Sequence, residues 1–227
     1  MTLELNTANT VFQSHGWLSS YPESVRSKVL ACGRPRKFSA FDTLYRLGDT
    51  SDGIYGIIDG RVTVSIPSDA GTIYDCYVGR PGFWVGDLAL FSKATRLVSL
   101  SAATDVSSWF LPQSRLHELV RLEPELISMF YALSHRNMAT SMRIMANLAI
   151  PDNTRRLAAW LLFSDDGLAK SGNWIEVSQE QIGMQNAMSL PTIRRLLKRL
   201  ENNGLIELGY GRVRVTNHDK LLAFSRS

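Results

Sequence analysis

The sequence predicts an α+β fold built from three successive segments, and three observations predict it. Short β-forming runs separated by glycine-containing turns occupy about residues 38–111. An uninterrupted helical pattern of about 26 residues follows Pro124. Two short helices and two short strands then end the chain. We therefore expect N-terminal helices and a sheet domain in residues 1–112, helices in residues 113–151, and a separate domain in residues 152–227.

The composition is that of an ordinary globular protein, with 44% hydrophobic and 20% charged residues and a net charge of +4. This mild basic excess is compatible with a polyanionic partner. The two cysteines, Cys32 and Cys76, are too few for a disulfide framework or a zinc site, and we expect them to be buried thiols. An iron–sulfur cluster, which needs about four cysteine ligands, is excluded for the same reason.

The N-terminal sequence has no basic stretch followed by an apolar run, so we expect no signal peptide. No segment approaches the roughly 18 consecutive apolar residues of a membrane-spanning helix. Both observations favour a cytoplasmic location and no membrane partner.

Local signals define the first elements. The segment "YPESVRSKVLACGR" predicts a helix, with Pro22 near its start and Gly33 near its end. In "GIYGIIDGRVTVSI", the pair Asp59-Gly60 is typical of the two-residue type I′ turn of a β-hairpin. Several such short strands favour a barrel or a sandwich.

The helical segment begins with "PQSRLHELVRL", which predicts a short helix that ends before Pro124. The long helix that follows has two apolar faces, and Leu126, Phe130 and Leu133 lie on one of them. The other alternates spacings of three and four, as a helix–helix seam does: Ile127, Tyr131, Ser134, Met138, Ser141, Met145 and Leu148. We expect this seam to contact a partner helix, and a single buried core helix is the alternative.

The C-terminal segment has the signals of two helices. Ser178 and Gln181 form a capping box for the first helix. Ser189 is a good N-cap for the second, with Pro191 in its first turn. One face of the second helix is apolar, with Ile193, Leu196, Leu197 and Leu200. The other carries Arg194, Arg195, Lys198 and Arg199.

Two strands around Gly209-Tyr210-Gly211 follow and complete a winged helix-turn-helix pattern. Arg212 and Arg214 alternate along the second strand and share one face. Such motifs place their second helix in the major groove of DNA, and clustered cations neutralise phosphates. A solvated basic face on an ordinary helix is the alternative.

In this order of parts the chain resembles the CRP/FNR family of bacterial transcription regulators. The segments that carry the resemblance are "SDGIYGIIDGRVTV", "PGFWVGDLALF" with Arg96 after it, "NLAIPDNTRRLAAWLL" and "SQEQIG…SLPTIRRLLKRLENNGLI". The resemblance implies a jelly-roll-like double-stranded β-roll of the cyclic-nucleotide-binding type, a long dimerisation helix and a winged DNA-binding domain. It also implies double-stranded DNA, a second copy of the chain and RNA polymerase as partners.

The resemblance places an effector pocket at Gly86, Asp87, Leu88, Arg96, Leu97, Ser141 and Met142. Members that bind cyclic AMP have Glu at the position of Asp87 and a hydroxyl residue at the position of Leu97. Leu97 cannot donate a hydrogen bond to a phosphate, so the pocket motif is degenerate. We expect Arg96 to bind a small anionic effector or to form an ion pair with Asp87. Cyclic AMP stays an alternative. Heme would need an axial ligand, and the four histidines are scattered along the chain. The effector is therefore unknown.

The expected DNA-binding residues are Ser189, Leu190, Thr192, Arg194, Arg195, Lys198, Arg199 and Arg212. Leu190 and Pro191 replace residues that commonly read bases in the family, and Ala187 replaces the glycine of the turn. Arg195 matches a base-contacting arginine, which would suit guanine O6 and N7. The expected operator therefore differs from the usual family half-site.

These features predict a homodimeric, sequence-specific transcription regulator whose β-roll senses a ligand or signal. The alternative is a ligand-binding β-roll scaffold whose winged domain contacts protein rather than DNA. No paired carboxylates, metal-ligand spacing or phosphate-binding glycine loop indicates an enzyme.

Overall fold

The computed structural model describes residues 2–67, 71–92, 94–165 and 174–226. The chain divides into two compact units, Met1–Ala139 and Thr140–Ser227. The first contains helices and two antiparallel sheets, and the second contains helices and one small sheet. The predicted α+β class is confirmed.

Two helices precede the sheets: α1 (Thr2–Ser14) and α2 (Glu23–Ala31). The helix after Pro22 lies where the sequence predicts it. N-terminal helices were expected, but the sequence did not locate α1, because it is mostly polar there and its two most buried residues, Ala8 and Phe12, form a narrow stripe. The Phe12 ring packs 4.6 Å from the Trp84 ring, which holds α1 against the sheet.

The described part of the first unit contains eight strands. They are β1 (Arg34–Phe38), β2 (Thr43–Tyr45), β3 (Gly53–Asp59), β4 (Val62–Pro67), β5 (Ile73–Gly79), β6 (Trp84–Val85), β7 (Ser99–Ala102) and β8 (Val106–Pro112). One sheet has the order β1-β8-β3-β6 and the other β2-β7-β4-β5, and their strands pair antiparallel. Buried residues of both sheets form one apolar cluster, so the unit is the expected jelly-roll-like β-roll.

The predicted hairpin at Asp59-Gly60 is wrong. Strand β3 pairs with β8 and β6, whereas β4 pairs with β5 and β7, so the turn carries the chain from one sheet to the other. Gly60 has φ 84°, but Asp59 does not share the positive φ that a type I′ turn requires. The Arg61 amide instead bonds to the Thr104 hydroxyl, outside both strands. A local turn signal could not reveal which strands pair.

Helix α3 (Gln113–Leu122) confirms the predicted short helix. A 3-10 turn, Pro124–Leu126, then leads into α4 (Ile127–Leu148), which has 22 residues and is shorter than predicted because its start is 3-10 rather than α-helical. Leu126, Phe130 and Leu133 are buried, as the apolar pattern predicts. The Trp17 indole donates a 2.8 Å hydrogen bond to the Met129 carbonyl and fixes the start of the helix.

The second unit is built from four further helices and three strands among its described residues. They are α5 (Asn153–Asp165), β9 (Ile175–Glu176), α6 (Gln179–Asn186), α7 (Leu190–Asn202), β10 (Ile206–Gly209), β11 (Arg212–Val215) and α8 (His218–Arg226). The strand order is β10-β11-β9. This arrangement confirms the predicted winged helix-turn-helix.

Neither cysteine forms a disulfide, and both are partly rather than fully buried. Burial raises the pKa of each thiol. Within the described ranges, no helix is long and apolar enough to cross a membrane.

Candidate nucleic-acid interface

Helix α6 is capped as the sequence predicts. The Ser178 hydroxyl accepts a hydrogen bond from the Gln181 amide at 3.1 Å, and the Gln181 side chain accepts one from the Ser178 amide at 2.9 Å. The helix ends at Ala187, whose φ of 52° and ψ of 47° lie in the left-handed region. Glycine adopts this conformation without penalty, whereas alanine is strained there. The turn therefore forms although Ala187 is unfavourable in this conformation.

Helix α7 begins after Ser189, with Pro191 in its first turn. The Ser189 hydroxyl lies 3.0 Å from the Thr192 hydroxyl and makes no capping bond to the backbone. The predicted apolar face is fully buried: Ile193, Leu196, Leu197 and Leu200 are each at most 2% exposed. This burial fixes the rotation of the helix about its axis.

The four cations of α7 lie on its exposed side, as predicted: Arg194, Arg195, Lys198 and Arg199. They are not equivalent. The Lys198 ammonium donates a 2.8 Å hydrogen bond to Glu201, and this contact lowers the pKa of the Glu201 carboxyl. Lys198 would therefore have to exchange this carboxylate for a phosphate on binding DNA.

The wing arginines share one face, as the alternation predicts, and both contact the ring of Trp174. The Arg212 guanidinium lies 4.4 Å from the Trp174 ring centroid and that of Arg214 4.9 Å. Arg214 also forms an ion pair with Glu207. The expectation that both arginines add to the phosphate-binding charge is weakened for Arg214, because its charge is already balanced within the wing.

The predicted seam of α4 is mostly open to solvent in the single chain. Ile127, Tyr131 and Met138 are 42%, 74% and 44% exposed in the first unit. Met145 and Leu148 are 62% and 39% exposed in the second unit, and Ser141 is exposed as well. Ser134 is the exception, because it is only half-exposed and lies close enough to Asp87 to bond it.

The first unit contains a buried guanidinium where the effector pocket is expected. Arg96 is 2% exposed. Its Nη1 donates to the Gly86 carbonyl at 3.0 Å, and its Nη2 donates to Asp52 Oδ1 at 2.8 Å and to the Gly53 carbonyl at 2.7 Å. The Tyr45 ring centroid lies 4.2 Å from the guanidinium carbon. We call these residues, Tyr45, Asp52, Gly53, Gly86 and Arg96, the arginine cradle.

The carboxylate partner of Arg96 is Asp52, so the expectation that Arg96 pairs with Asp87 is wrong. Gly86 makes the cradle possible, because its φ is 99° and a Cβ there would lie 2.3 Å from Arg96 Nη1. Among the described residues, no group accepts from the buried Arg96 Nε. The cradle therefore retains one buried donor that an anion or a water molecule can satisfy.

Asp87 lies beside the cradle and contacts helix α4 instead of Arg96. It is 7% exposed, and the Asn137 amide donates to its Oδ1 at 2.6 Å. The same amide donates to the Trp84 carbonyl at 3.0 Å. Burial raises the pKa of Asp87, although hydrogen bonds from Ser134 and Asn137 and the charge of Arg96 oppose the rise.

The other expected pocket residues differ in exposure and in the unit to which they belong. Leu88 and Leu97 are 43% and 59% exposed. Ser141 and Met142 belong to the second unit. Across the part of the chain that the structure describes, no cluster of His, Cys, Asp or Glu could hold a metal ion.

Five residues of these sites were not foreseen: Tyr45, Asp52, Gly53, Asn137 and Trp174. Asp52 is 44 residues from Arg96 and Asn137 is 50 residues from Asp87, and no sequence pattern links such distant pairs. Trp174 gives no periodic signal, because it directly precedes a strand of only two residues.

Two family models match the chain and together cover more than half of it. The cyclic nucleotide-binding domain matches residues 35–123, which contain the arginine cradle. The Crp-like helix-turn-helix domain matches residues 155–224, which contain α7 and the wing.

Relatives match both regions at once. The cAMP-activated global transcriptional regulator CRP of Haemophilus influenzae is 28% identical over 218 residues, which cover 91% of this chain and 94% of the relative. The CRP of Escherichia coli O157:H7 is 27% identical over 179 residues, covering 75% and 83%. The transcriptional regulatory protein btr of Bordetella pertussis is 28% identical, covering 76% and 73%.

Solved structures share the fold. FixK2 from Bradyrhizobium japonicum superposes with a TM-score of 0.75 at 19% identity, covering 84% of this chain and 96% of FixK2. The c-di-GMP-responsive global regulator CLP of Xanthomonas campestris gives a TM-score of 0.66 at 22% identity, covering 86% and 100%. These relatives are transcription regulators rather than enzymes. The chain has two matched domains in the order of the family, a β-roll and an exposed basic helix in the position of a recognition helix. It therefore belongs to the CRP/FNR family of DNA-binding transcription regulators.

Proposed function

We propose that this protein is a homodimeric, sequence-specific regulator that lays α7 in the major groove of double-stranded DNA. In this proposal residues 1–112 sense a signal, residues 113–151 join two copies, and residues 152–227 bind DNA. The observation that carries it is helix α7, which buries four apolar residues and exposes four cations. A helix held in one rotation can present the same side chains to each half-site.

The second copy is proposed to pack against the exposed apolar face of α4. Tyr131 and Met145 are among the most exposed apolar residues of the chain, at 74% and 62%. Exposed apolar surface of this kind is typical of protein interfaces. Two copies would also match DNA half-sites that lie one helical turn apart.

The β-roll is proposed to respond to a small anion held at the arginine cradle. Its support is Arg96 Nε, a buried donor for which no acceptor lies among the described residues. Some relatives are named for activation by cAMP, and CLP for its response to c-di-GMP. Leu97 offers no hydrogen bond to a cyclic phosphate, so we propose an anion other than cyclic AMP as the effector of this chain.

The remaining parts of the proposal follow from regulation of transcription. RNA polymerase is the proposed protein partner, and the cytoplasm, where bacterial DNA lies, is the proposed location. No membrane partner is included.

Salt-dependent DNA binding tests the proposed function directly. Duplexes selected from a random pool by the full-length protein should share a two-fold-symmetric consensus. The logarithm of the binding constant should fall linearly with the logarithm of the salt concentration. A protein that selects no sequence, and whose winged unit captures proteins instead, would be the scaffold alternative.

A further inference from the structure

The side chain of Tyr210, at the tip of the wing, packs against no residue that the structure describes. Gly209 pairs with Arg212 across the hairpin, so Tyr210 and Gly211 alone connect β10 and β11. Tyr210 has a relative exposure of 105%. A single exposed aromatic residue is common on protein surfaces and assigns nothing by itself. The contacts of the neighbouring residues Gly209 and Arg212 indicate what Tyr210 binds.

Arg212 is held in place directly below the tip. Its guanidinium lies 4.4 Å from the Trp174 ring centroid. A Cβ at Gly209 would lie 2.9 Å from the Arg212 side chain and 3.2 Å from the Trp174 ring. The missing side chain at Gly209 therefore gives the guanidinium its place against the ring. A guanidinium stacked in this way keeps donors at its edges and loses less entropy when it binds a phosphate.

We propose that Tyr210 enters the minor groove beside the half-site read by α7, while Arg212 binds the adjoining phosphate. This inference rests on the proposed DNA binding and adds a second contact with its own specificity. The ring can contact the groove wall, and the hydroxyl can donate to adenine N3 or thymine O2. The guanine N2 amino group projects into that space. The wing thus selects A·T over G·C at pairs that α7 does not touch.

The measurement that isolates the minor groove uses inosine. An I·C pair presents the major-groove pattern of G·C but lacks the N2 amino group. Three duplexes, chosen from the selected consensus, would carry A·T, G·C or I·C at the pairs flanking the half-site. The natural chain should bind the A·T and I·C duplexes alike and the G·C duplex about tenfold more weakly.

Variants then assign the effect to single side chains. Tyr210→Ala should bind all three duplexes with similar affinity. Tyr210→Phe keeps the ring and should retain part of the preference. Arg212→Ala should weaken the three duplexes equally and lower the salt slope by about one. Phe41→Ala removes a comparably exposed ring, 87% exposed, from the first unit and is the matched control, with binding unchanged.

Several results would overturn the inference, and they can be told apart from failure of the proposed function. If Tyr210→Ala keeps the preference, another residue reads the flank. If I·C behaves as G·C does, the flank is read from the major groove. If the natural chain shows no flank preference, the wing reads nothing. Absence of any salt-dependent duplex binding would overturn both the wing contact and the proposed function.

Discussion

The Asn137 amide donates a 2.6 Å hydrogen bond to Asp87 Oδ1, and so joins helix α4 to the turn that follows β6. Asp87 is also the buried acid of the roll, and burial raises its pKa above the ordinary value of 3.8. The turn that holds Arg96 through the Gly86 carbonyl is thereby tied to the long helix within one unit.

The raised pKa of Asp87 predicts a pH dependence of stability. The folded protein keeps a proton that the unfolded chain has already released, so the contribution of Asp87 is full below 3.8 and is lost as the pH rises through the raised pKa. Asp87→Asn cannot titrate and keeps an oxygen for Asn137. Urea unfolding should therefore show the free energy of unfolding of Asp87→Asn rising relative to that of the natural chain as the pH rises above 3.8.

A second variant checks the cause. Asn137→Leu removes a donor that lowers the pKa of Asp87, so the loss of stability should extend to higher pH than in the natural chain. A difference between Asp87→Asn and the natural chain that is constant with pH, or that falls, would contradict the assignment.

The strained turn between α6 and α7 predicts a stabilising substitution. Ala187→Gly relieves a left-handed conformation and should raise the free energy of unfolding by about 1 kcal/mol. Gly204→Ala is the mirror control. Gly204 has φ 66° and open space where a Cβ would lie, so only backbone strain acts there and the change should destabilise by a similar amount. Urea unfolding followed by tryptophan fluorescence measures both, and a destabilised Ala187→Gly would show that the turn is not strained.

The exposed face of α4 predicts the effect of a charge on assembly. Met138→Glu would bury an unpaired carboxylate between two copies, at a cost of several kcal/mol. Light scattering should then give the mass of a single chain. Ala132→Glu places the same charge on the same helix, but rotated about the helix axis by roughly a third of a turn from Met138. This variant should leave the dimer intact. A dimeric Met138→Glu protein would remove this face from the interface.

Because Leu97 has no hydroxyl, we expect weak binding of cyclic AMP at the arginine cradle. Calorimetric titration of the natural chain with millimolar cyclic AMP should give little heat. Leu97→Ser restores a hydroxyl that can bond to a charged phosphate and should strengthen binding about tenfold or more. Leu122→Ser changes a leucine of similar exposure outside the cradle, 63% against 59%, and should have no effect. Micromolar binding by the natural chain would mean that the hydroxyl is dispensable.

Periodicity predicted the parts of the fold that depend on one helix or one strand. The buried face of α7 and the exposed face of α4 follow from spacings of three and four residues. The capping box at Ser178 follows from two residues three apart. Such features involve neighbours in the sequence, and the structure has them where they were expected.

Pairings between distant segments could not be predicted in this way. The Asp59-Gly60 turn has the local chemistry of a hairpin, but the choice of β8 as the partner of β3 depends on packing of the whole roll. Asp52 was likewise not foreseen as the partner of Arg96, because a carboxylate 44 residues away has no sequence mark. The same holds for Trp174 below the wing arginines.

Binding of α7 to DNA is tested most sharply by comparing two of its cations in a salt series. Arg195→Ala should cost about 1–3 kcal/mol on the selected duplex and relax selectivity at one base pair, with little change on a scrambled duplex. Lys198→Ala, which also releases Glu201, should weaken both duplexes alike and lower the salt slope by at most about one. If Arg195→Ala weakens both duplexes equally, Arg195 contacts phosphate and base reading passes to Ser189, Leu190 and Thr192. If neither variant changes binding to either duplex, α7 does not lie on DNA and the proposed DNA-binding role of this helix is wrong.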